Sequence, residues 1–400
     1  QVNLTRFELA LSEKRQFFLE GSEQYRQRIR TFYSRRIADI HFGAKMLGRR
    51  GAWQYSLLTA QSDPLSSLPS LGAEGQADSA NYSVLRLERD LWRSSSVALM
   101  ASNRYLTGEN RGSIGLDTSL FFTETFRFTG QLIRSHGPEE GGRWAFFVRP
   151  SRDTSTSHVH FRYTHLGDRF GDHVNAIGFI RDDDRREMDS AVEKQFWIRQ
   201  GPLERVAYDS NYNIYWSQKG VLRSWQIDQS LRFDLRNRWS GGLWHTNEFK
   251  LFEKKFRNNV SGVEIGYNTR EWQSVSFVYG FGRNFDSDIR LVGAEVKHKI
   301  TDELSFEYSV TRLWSDPDPG ERSTVIHVLR GVQSFTKDLF LKLFFQTSSA
   351  IDRRNVQAVF VWRYKPPYGS IQVAYQRGTA AFGERSEQGN TLFVKFSYVL

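Results

Sequence analysis

Apolar and polar residues alternate along much of this chain of 400 residues, and this pattern limits the possible folds more than any other feature. In the stretch ELSFEYSVT at 303–311, every second residue is Leu, Phe, Tyr or Val, and the residues between them are Glu, Ser and Thr. The same alternation recurs at 126–132, 292–300, 356–364 and 370–376. Because residues two apart lie on the same face of a strand, the pattern predicts strands with one apolar and one polar face.

The length and charge of these segments indicate membrane strands rather than soluble ones. Many run for about ten residues or more, the length with which a tilted strand crosses a bilayer, whereas soluble strands usually have about five or six residues. Charged or ionisable residues also occur in the middle of the polar faces, where a water-filled lumen tolerates them. We predict that eight of these residues line a pore: Arg127, His158, His160, Arg162, Glu295, Lys297, Lys342 and Arg363. Because basic residues dominate this set, we expect a preference for anions.

Composition agrees with an outer-membrane location. The chain has no Cys, which suits passage through an oxidising periplasm and excludes disulfides and thiolate metal sites. Aromatic residues make up 14% of the sequence although its mean hydropathy is low, as in strands that face lipid on one side and water on the other. The net charge of +10 is dispersed along the chain. We therefore expect contacts with outer-membrane lipid and lipopolysaccharide, and no nucleic-acid partner.

The chain divides into two parts. Residues 38–400 are predicted to form one transmembrane antiparallel up-and-down β-barrel of about 18 to 22 strands, with turns at 201–202, 219–220, 237–238, 301–302 and 366–367. Counting the strands inwards from both ends gives opposite orientations in the middle, and the weak pattern at 167–187 predicts that this stretch is not a full strand. Residues 1–37 form a separate N-terminal segment in which 15–30 is a candidate short helix broken near Gly21. We expect this segment to plug the lumen or to lie at the periplasmic mouth.

The last residues, TLFVKFSYVL, carry a candidate assembly signal. Phe396, Tyr398 and Leu400 share one face of a final strand, and an aromatic residue two positions before an apolar C-terminus resembles the signal that the barrel assembly machinery reads. The chain departs from that pattern by ending in Leu rather than Phe, and by having Lys395 where Gly is common.

Several stretches of the first half resemble an uncharacterised family of bacterial outer-membrane proteins. They include SEKRQFFLEG at 12–21, FYSRRI at 32–37, GAKMLGRRGAWQYSLLTAQ at 43–61, NYSVLRLERDLWRSSSVALMASNR at 81–104 and HVNAIGFIRDDDRRE at 173–187. Family members usually pair an N-terminal domain like a family-nine carbohydrate-binding module with a C-terminal barrel. The resemblance implies an outer-membrane barrel and no particular reaction. Ser12 and Gln16 stand where the family typically has Pro, and the sugar-binding domain would precede Gln1.

Three groups of residues have a competing interpretation as ion sites. His158 and His160 share a strand face and can ligate a metal, but we favour a wet lumen because no carboxylate stands at a fixed spacing nearby. Asp316, Asp318 and Glu321 resemble part of a calcium loop, but a Pro-rich external turn is favoured. The run at 182–184, three Asp before two Arg, is interpreted as a solvated turn rather than a cation site or constriction.

The predicted function is a pore or channel for polar solutes such as saccharides, or the membrane anchor of a periplasmic carbohydrate-binding module. One alternative is a structural barrel subunit or sheath that has other subunits of an envelope complex as partners. A second is an outer-membrane hydrolase whose His lies within reach of Ser or Asp at the barrel rim. A third is a soluble sandwich or propeller, against which the absence of a blade repeat argues. Because the common catalytic motifs are absent, we predict no enzymatic activity, catalytic residue, cofactor or metal.

Overall fold

The computed structural model describes residues 10, 12–37, 39–62, 79–317, 323–349, 353–377 and 389–398. The chain forms two compact units. The first unit consists of residues 1–192 and 211–225, and the second unit of residues 193–210 and 226–400. No helix among the described residues is both long enough and apolar enough to span a membrane.

Within the described residues, twenty-one strands belong to one sheet. Strands that follow one another in the sequence pair antiparallel. The first eight are β1 Ile40–Arg50, β2 Trp53–Ser62, β3 Asn81–Asp90, β4 Ser96–Leu106, β5 Glu109–Phe121, β6 Phe126–His136, β7 Trp144–Asp153 and β8 Ser157–Leu166. The up-and-down order and the predicted number of strands are confirmed.

The remaining strands alternate with short connections. They are β9 Arg185–Trp197, β10 Leu203–Trp216, β11 Leu222–Leu235, β12 Trp239–Leu251, β13 Lys255–Tyr267, β14 Ser274–Asn284, β15 Ser287–Lys299, β16 Leu304–Asp316, β17 Thr324–Thr336, β18 Leu339–Ser348, β19 Arg353–Lys365, β20 Gly369–Arg377 and β21 Asn390–Tyr398. All five predicted turns lie between strands. Most strands have ten or more residues, the length expected of membrane strands.

The strands of both units have one exposed apolar face. In β2, Leu57 is 42% exposed, whereas its neighbours Ser56 and Leu58 are 1% exposed. In the second unit, large apolar side chains again project from one face, among them Leu243, Ile265, Phe277, Leu343, Trp362 and Val394. A sheet that presents this much apolar surface on one side is stable against lipid, so we call this the lipid face.

The opposite side of the sheet differs between the units. In the second unit it carries polar and charged residues and is here called the polar face. In the first unit it is buried beneath residues 12–37, the N-terminal segment, and residues 167–184, the β8–β9 connection. We call this side the covered face. Its residues are a mixture of small polar and apolar side chains, including Ser56, Leu58, Val84, Met100 and Ile133.

Two apolar clusters attach the N-terminal segment to the covered face. In the first cluster, Phe18, Tyr25 and Ile37 pack with Leu58 and Met100. In the second, Ile29 packs with residues of three strands and of the β8–β9 connection: Ile133, Ala145, Phe147, Leu166, Phe170 and Val174. The segment is thus integrated into the core of the first unit.

The N-terminal segment contains less helix than its sequence suggests. Helix α1 spans only Gln16–Leu19, a 3-10 turn follows at Ser22–Tyr25, and Gly21 between them has a φ of +67°. The predicted break at Gly21 is confirmed, but residues 26–30 are not helical, and the next 3-10 turn spans only Ser34–Arg36. The stretch after Tyr25 is held instead by its backbone: Arg30 forms an antiparallel bridge with Phe179, and the Tyr33 N–H donates to the Ile177 carbonyl over 2.8 Å. Contacts of this kind outweigh weak helix propensity.

The β8–β9 connection interrupts the series of strands where the sequence pattern is weakest. It contains helix α2, Phe170–Val174, and turns back towards the N-terminal segment. The prediction that 167–187 is not a full strand is therefore confirmed, because β9 begins only at Arg185. The alternation is missing here because the connection packs on both sides, with four residues of α2 buried.

Candidate functional site

Four of the predicted pore-lining residues lie in the first unit, on the covered face of β6 and β8. Three of them, His158, His160 and Arg162, alternate in β8 with the exposed Val159 and Phe161. Arg127 is on β6, opposite Ser151 of β7, which in turn is opposite His160. The strand register thus places these four side chains on one side of the sheet.

His160 and Arg162 share a carboxylate that the sequence pattern did not identify. His160 Nε2 lies 2.9 Å from Asp189 Oδ1, and an Arg162 guanidinium nitrogen lies 2.9 Å from Asp189 Oδ2. Arg162 also pairs with Glu187 over 3.1 Å. Both acids come from β9, across the long β8–β9 connection, so no fixed sequence spacing could reveal them.

His158 extends the same network to the end of β7. Its Nε2 lies 2.8 Å from His160 Nδ1, and its Nδ1 contacts the Asp153 carboxylate. Despite these neighbouring acids, the described residues contain no group of three or more His, Asp or Glu side chains arranged to hold a metal ion. The two histidines belong to a hydrogen-bonded chain of polar side chains.

Several arginines near this network have a buried side-chain nitrogen without a hydrogen-bond partner among the described residues. The Nε atoms of Arg127, Arg149 and Arg162 are buried without a hydrogen-bond partner among the described residues. Arg28 of the N-terminal segment lies with its guanidinium 5.8 Å from the Phe147 ring. Burial lowers the pKa of Arg28. The neighbouring positive charges of Arg162 and Arg149 lower it further, whereas Glu187 and Asp189 act to raise it. The covered face is therefore locally electropositive.

A cavity of about 430 Å³ lies beside Arg28. Its walls come from the N-terminal segment, β8, the β8–β9 connection and β9. Its basic lining residues are Arg28, Arg30, Arg181 and Arg185; the others include Ile29, Thr164, Leu166, Phe179, Ile180, Asp182 and Glu187. Cavities of this size hold small organic ligands.

The other four predicted pore-lining residues lie in the second unit, where carboxylates or aromatic rings neutralise or cover them. Lys297 pairs with Glu295 over 2.7 Å. Arg363 lies 3.4 Å from a carboxylate oxygen of Asp338. The Lys342 ammonium is 5.3 Å from the centre of the Phe340 ring, and the Arg363 guanidinium is 5.8 Å from it. These four residues therefore form two local groups, Glu295 with Lys297 and Lys342 with Arg363.

A Ser–His–Glu arrangement is present at the end of β6, and it is buried. His173 of α2 has its Nδ1 2.8 Å from Ser135 Oγ, and its Nε2 3.0 Å from the Glu139 carbonyl and 3.5 Å from the Glu139 carboxylate. A hydrolase would have a His within reach of Ser or Asp, and these distances meet that criterion. However, His173 is 0% exposed and Ser135 is 1% exposed, so a substrate cannot reach the hydroxyl. The arrangement fastens the β8–β9 connection to the β6–β7 loop.

The acidic run at 182–184 is also structural, and it is not a solvated turn as the sequence suggested. Asp182 accepts a hydrogen bond from the Tyr215 hydroxyl, and Asp183 accepts one from the Gly171 N–H over 2.8 Å. Asp184 accepts from the Gln218 N–H over 2.7 Å and pairs with Arg223. These acids are occupied by the residues that position the β8–β9 connection.

The remaining predicted features fall partly beyond the described residues. Asp316 ends β16, whereas Asp318 and Glu321 lie outside the described residues. Phe396 and Tyr398 project from the lipid face of β21, 65% and 46% exposed, and Leu400 again lies outside the described part of the chain.

Comparisons with known proteins support the fold. A sequence model described as a domain of unknown function (DUF5916) matches residues 1–48. No curated protein matches the sequence. The structure is similar to the siderophore receptor PirA from Pseudomonas aeruginosa, with a TM-score of 0.52 and 9% identity over 89% of this chain and 75% of that one.

Two further structures are less similar. Acinetobacter baumannii OccAB3 has a TM-score of 0.37 and 8% identity over 70% of this chain and 91% of that one. The FrpB iron transporter from Neisseria meningitidis has a TM-score of 0.38 and 10% identity over 88% and 70%. The predicted fold class, an all-β up-and-down barrel, is confirmed by the 21-stranded sheet and the likeness to PirA. With its lipid face, the chain is an outer-membrane β-barrel.

Proposed function

We propose that the protein is a gated outer-membrane pore for polar solutes, with a preference for anions, and that the N-terminal segment is its gate. The observation that supports this most is the covered face of the first unit. A face that would otherwise line the lumen is covered by residues 12–37, while Arg127 and Arg149 on this face make no ion pair among the described residues. Unpaired basic side chains along an aqueous path favour anions.

Besides the two apolar clusters, side-chain hydrogen bonds attach the N-terminal segment to the strands. Ser102 Oγ donates to the Thr31 carbonyl over 2.9 Å, Lys45 donates to the carbonyls of Phe17 and Glu20, and Gln27 donates to Asp117 over 2.7 Å. These are side-chain hydrogen bonds, worth about 0.5–1.5 kcal/mol net for the neutral one and about 1.5–3 kcal/mol for those of Lys45 and Asp117. Apart from the bridge to Phe179, no strand pairing holds the segment within the described residues.

This arrangement favours a pore over the two main alternatives. A sheath for another polypeptide would need a free lumen, whereas here the chain's own segment covers the wall. A hydrolase would need an accessible nucleophile, whereas Ser135 and His173 are buried. The role of anchor for a periplasmic carbohydrate-binding module stays an alternative that conductance measurements distinguish.

The test is planar-bilayer conductance of the detergent-purified protein, with and without residues 1–37. A second variant keeps every residue in place: R30C/F179C joins the segment to the β8–β9 connection at their antiparallel bridge, where paired side chains are close enough for a disulfide. Because the natural chain has no Cys, this bond is the only one that can form.

We expect stable conductance steps from the truncated chain and from reduced R30C/F179C, and their loss when the tether is oxidised. R30C alone serves as the matched control and should not respond to oxidation. If no sample conducts although its heat-modifiable migration shows a folded barrel, the result would contradict the pore and favour the role of a membrane anchor.

A further inference from the structure

We propose that the cavity between the N-terminal segment and the β8–β9 connection binds a small organic anion that carries a carboxylate or phosphate group on an apolar body. The site deepens the proposed function by naming a solute class, but its binding can be measured without any conduction. Four arginines, one unpartnered hydroxyl and an apolar wall support it.

The cavity has more basic than acidic lining residues, and its acidic residues already have partners. Two acids, Asp182 and Glu187, face four arginines, and both acids are already occupied. Glu187 contacts Arg162 over 3.1 Å and accepts from Asn213 over 2.8 Å, and Asp182 accepts from the Tyr215 hydroxyl. Glu187 also pairs with Arg185. The other three arginines, Arg28, Arg30 and Arg181, make no ion pair among the described residues.

Thr164 is a second, independent indication of a ligand. It is 7% exposed, lines the cavity, and its hydroxyl has no hydrogen-bond partner among the residues that the structure describes. A buried hydroxyl without a partner costs about 1–3 kcal/mol. An anion bound beside Thr164 would accept this hydrogen bond and remove that cost.

The remaining walls select the body of the ligand. Ile29, Leu166 and Ile180 provide aliphatic surface, and Phe179 provides an aromatic ring with Arg181 at 5.9 Å from its centre. Guanidinium groups bind the planar carboxylate and the phosphate group in a bidentate manner. A ligand with an oxyanion at one end and an apolar ring at the other therefore fits the chemistry of both walls.

Binding here would couple to the gate. The ligand would contact Arg28 of the N-terminal segment together with residues of β8, β9 and the connection. Because a ligand stabilises the state to which it binds, occupancy would hold the segment on the covered face. Release of the ligand and movement of the segment would then be linked.

The experiment uses the detergent-purified full chain and three probes: benzoate, phenyl phosphate and the neutral benzamide. Dissociation constants come from saturation-transfer NMR titrations, and the rate of tryptic cleavage within the segment is a second measurement. The variants are R28A/R181A, which removes two cavity arginines, and T164V, which removes the unpartnered hydroxyl at nearly constant volume. R26A is the matched control, because Arg26 is an exposed arginine of the same segment outside the cavity.

We expect at least one of the two anions to bind more tightly than benzamide and to slow cleavage of the segment. R28A/R181A should weaken binding about tenfold or more, and T164V about threefold to tenfold, as loss of charged and neutral hydrogen bonds predicts. R26A should bind like the natural chain. Binding of benzoate alone would identify carboxylic-acid solutes, and binding of phenyl phosphate alone would identify phosphate esters, such as lipid headgroups.

The proposal is overturned if neither anion binds better than benzamide, or if R28A/R181A and T164V both bind as tightly as R26A. These outcomes are separate from the test of the pore. Anion binding without conductance would contradict the proposed pore and support the proposed binding site. Conductance without anion binding would contradict the binding site and support the pore.

Discussion

In the second unit, several charges on the polar face are paired, whereas Arg127 and Arg149 on the covered face of the first unit make no ion pair within the part of the chain that the structure describes. Glu295 pairs with Lys297 and Glu307 with Arg330 on neighbouring strands of the second unit. Arg205 likewise pairs with Asp234 over 2.6 Å. In the first unit, by contrast, the Nε atoms of Arg127 and Arg149 are buried without partners among the described residues.

The difference shows that the same strand pattern can serve two purposes. A paired charge is locally neutral and stabilises a wet wall, whereas an arginine with a buried Nε that lacks a partner has a desolvation cost that only another function would offset. The first unit also buries apolar side chains on the covered face, which a purely aqueous wall does not need. We therefore infer that the functional specialisation lies in the first unit.

The largest effect is expected from placing a charge in the cluster around Ile29. I29D would put a carboxylate among Ile133, Phe147 and Leu166, at a cost of about 3 kcal/mol or more to the attachment of the segment. We expect rapid tryptic cleavage of the segment and increased conductance. S22D, at an exposed position of the same segment, is the control. Equal cleavage of I29D and the natural chain would show that the segment is not held by this cluster.

A smaller effect is expected from Gln131. Its side chain is 4% exposed, accepts from the Ile29 N–H over 3.0 Å and donates to the Ile29 carbonyl over 3.1 Å. Q131A leaves both backbone groups without partners and should loosen the segment by about 1–3 kcal/mol. The matched variant Q346A, on the polar face of the second unit, should have little effect. Hydrogen exchange at Ile29 measures the difference, and similar protection in both variants would contradict the comparison.

The pH dependence of the segment should depend on Glu13. Burial acts to raise its pKa, but hydrogen bonds from Arg15 and Lys14 lower it from 4.5 to about 2. Arg15 in turn donates to the carbonyls of Ser34 and Ile37. A carboxylate with a depressed pKa stabilises the folded state above its unfolded pKa and loses that contribution as the pH falls through the folded pKa.

We therefore expect the segment to loosen as the pH falls from about 4.5 to 2. E13Q should already be looser at neutral pH and should lose this pH dependence, and E23Q, at an exposed position of the same segment, is the control. The measurement is hydrogen exchange of the segment across this range. An unchanged pH profile in E13Q would remove Glu13 from the attachment.

The smallest effect is expected on ion selectivity. R149Q removes an arginine that makes no ion pair among the described residues, and it should shift the reversal potential in a salt gradient towards cations by a few millivolts, because one of several lumen charges is lost. E307Q/R330Q removes a neutral pair and should shift it less. Equal shifts would indicate that the two units do not differ in how they present charge to solutes.

Strand-level features were predictable because they follow from local periodicity. The alternation in β16 and β8, the turns and the break at Gly21 depend on residues that are close in the sequence. The weak pattern at 167–187 correctly predicted that this stretch is not a full strand, because apolar and polar residues need not alternate in a segment that packs on both sides. What it packs against was not visible in the pattern.

The partners across the sheet were not predictable. Asp189 meets His160 and Arg162 because β9 returns beside β8 after a connection of its own, and the Ile29 backbone meets Gln131 across 102 residues of sequence. The Ser135–His173 pair was not predictable either. Its distances resemble those of a catalytic site, and only its burial reveals a structural role.

The sequence by itself determined that the chain is a membrane barrel, because period-two amphipathicity over about ten residues has few other stable solutions. It also indicated the apolar face of several strands, among them those at 126–132, 303–311 and 370–376. Only the tertiary structure decided that the N-terminal segment covers the first unit, which arginines remain unpaired and where the cavity lies. The physical reason is that side-chain partners depend on which strands and segments are neighbours, and long-range packing sets that order rather than local pattern.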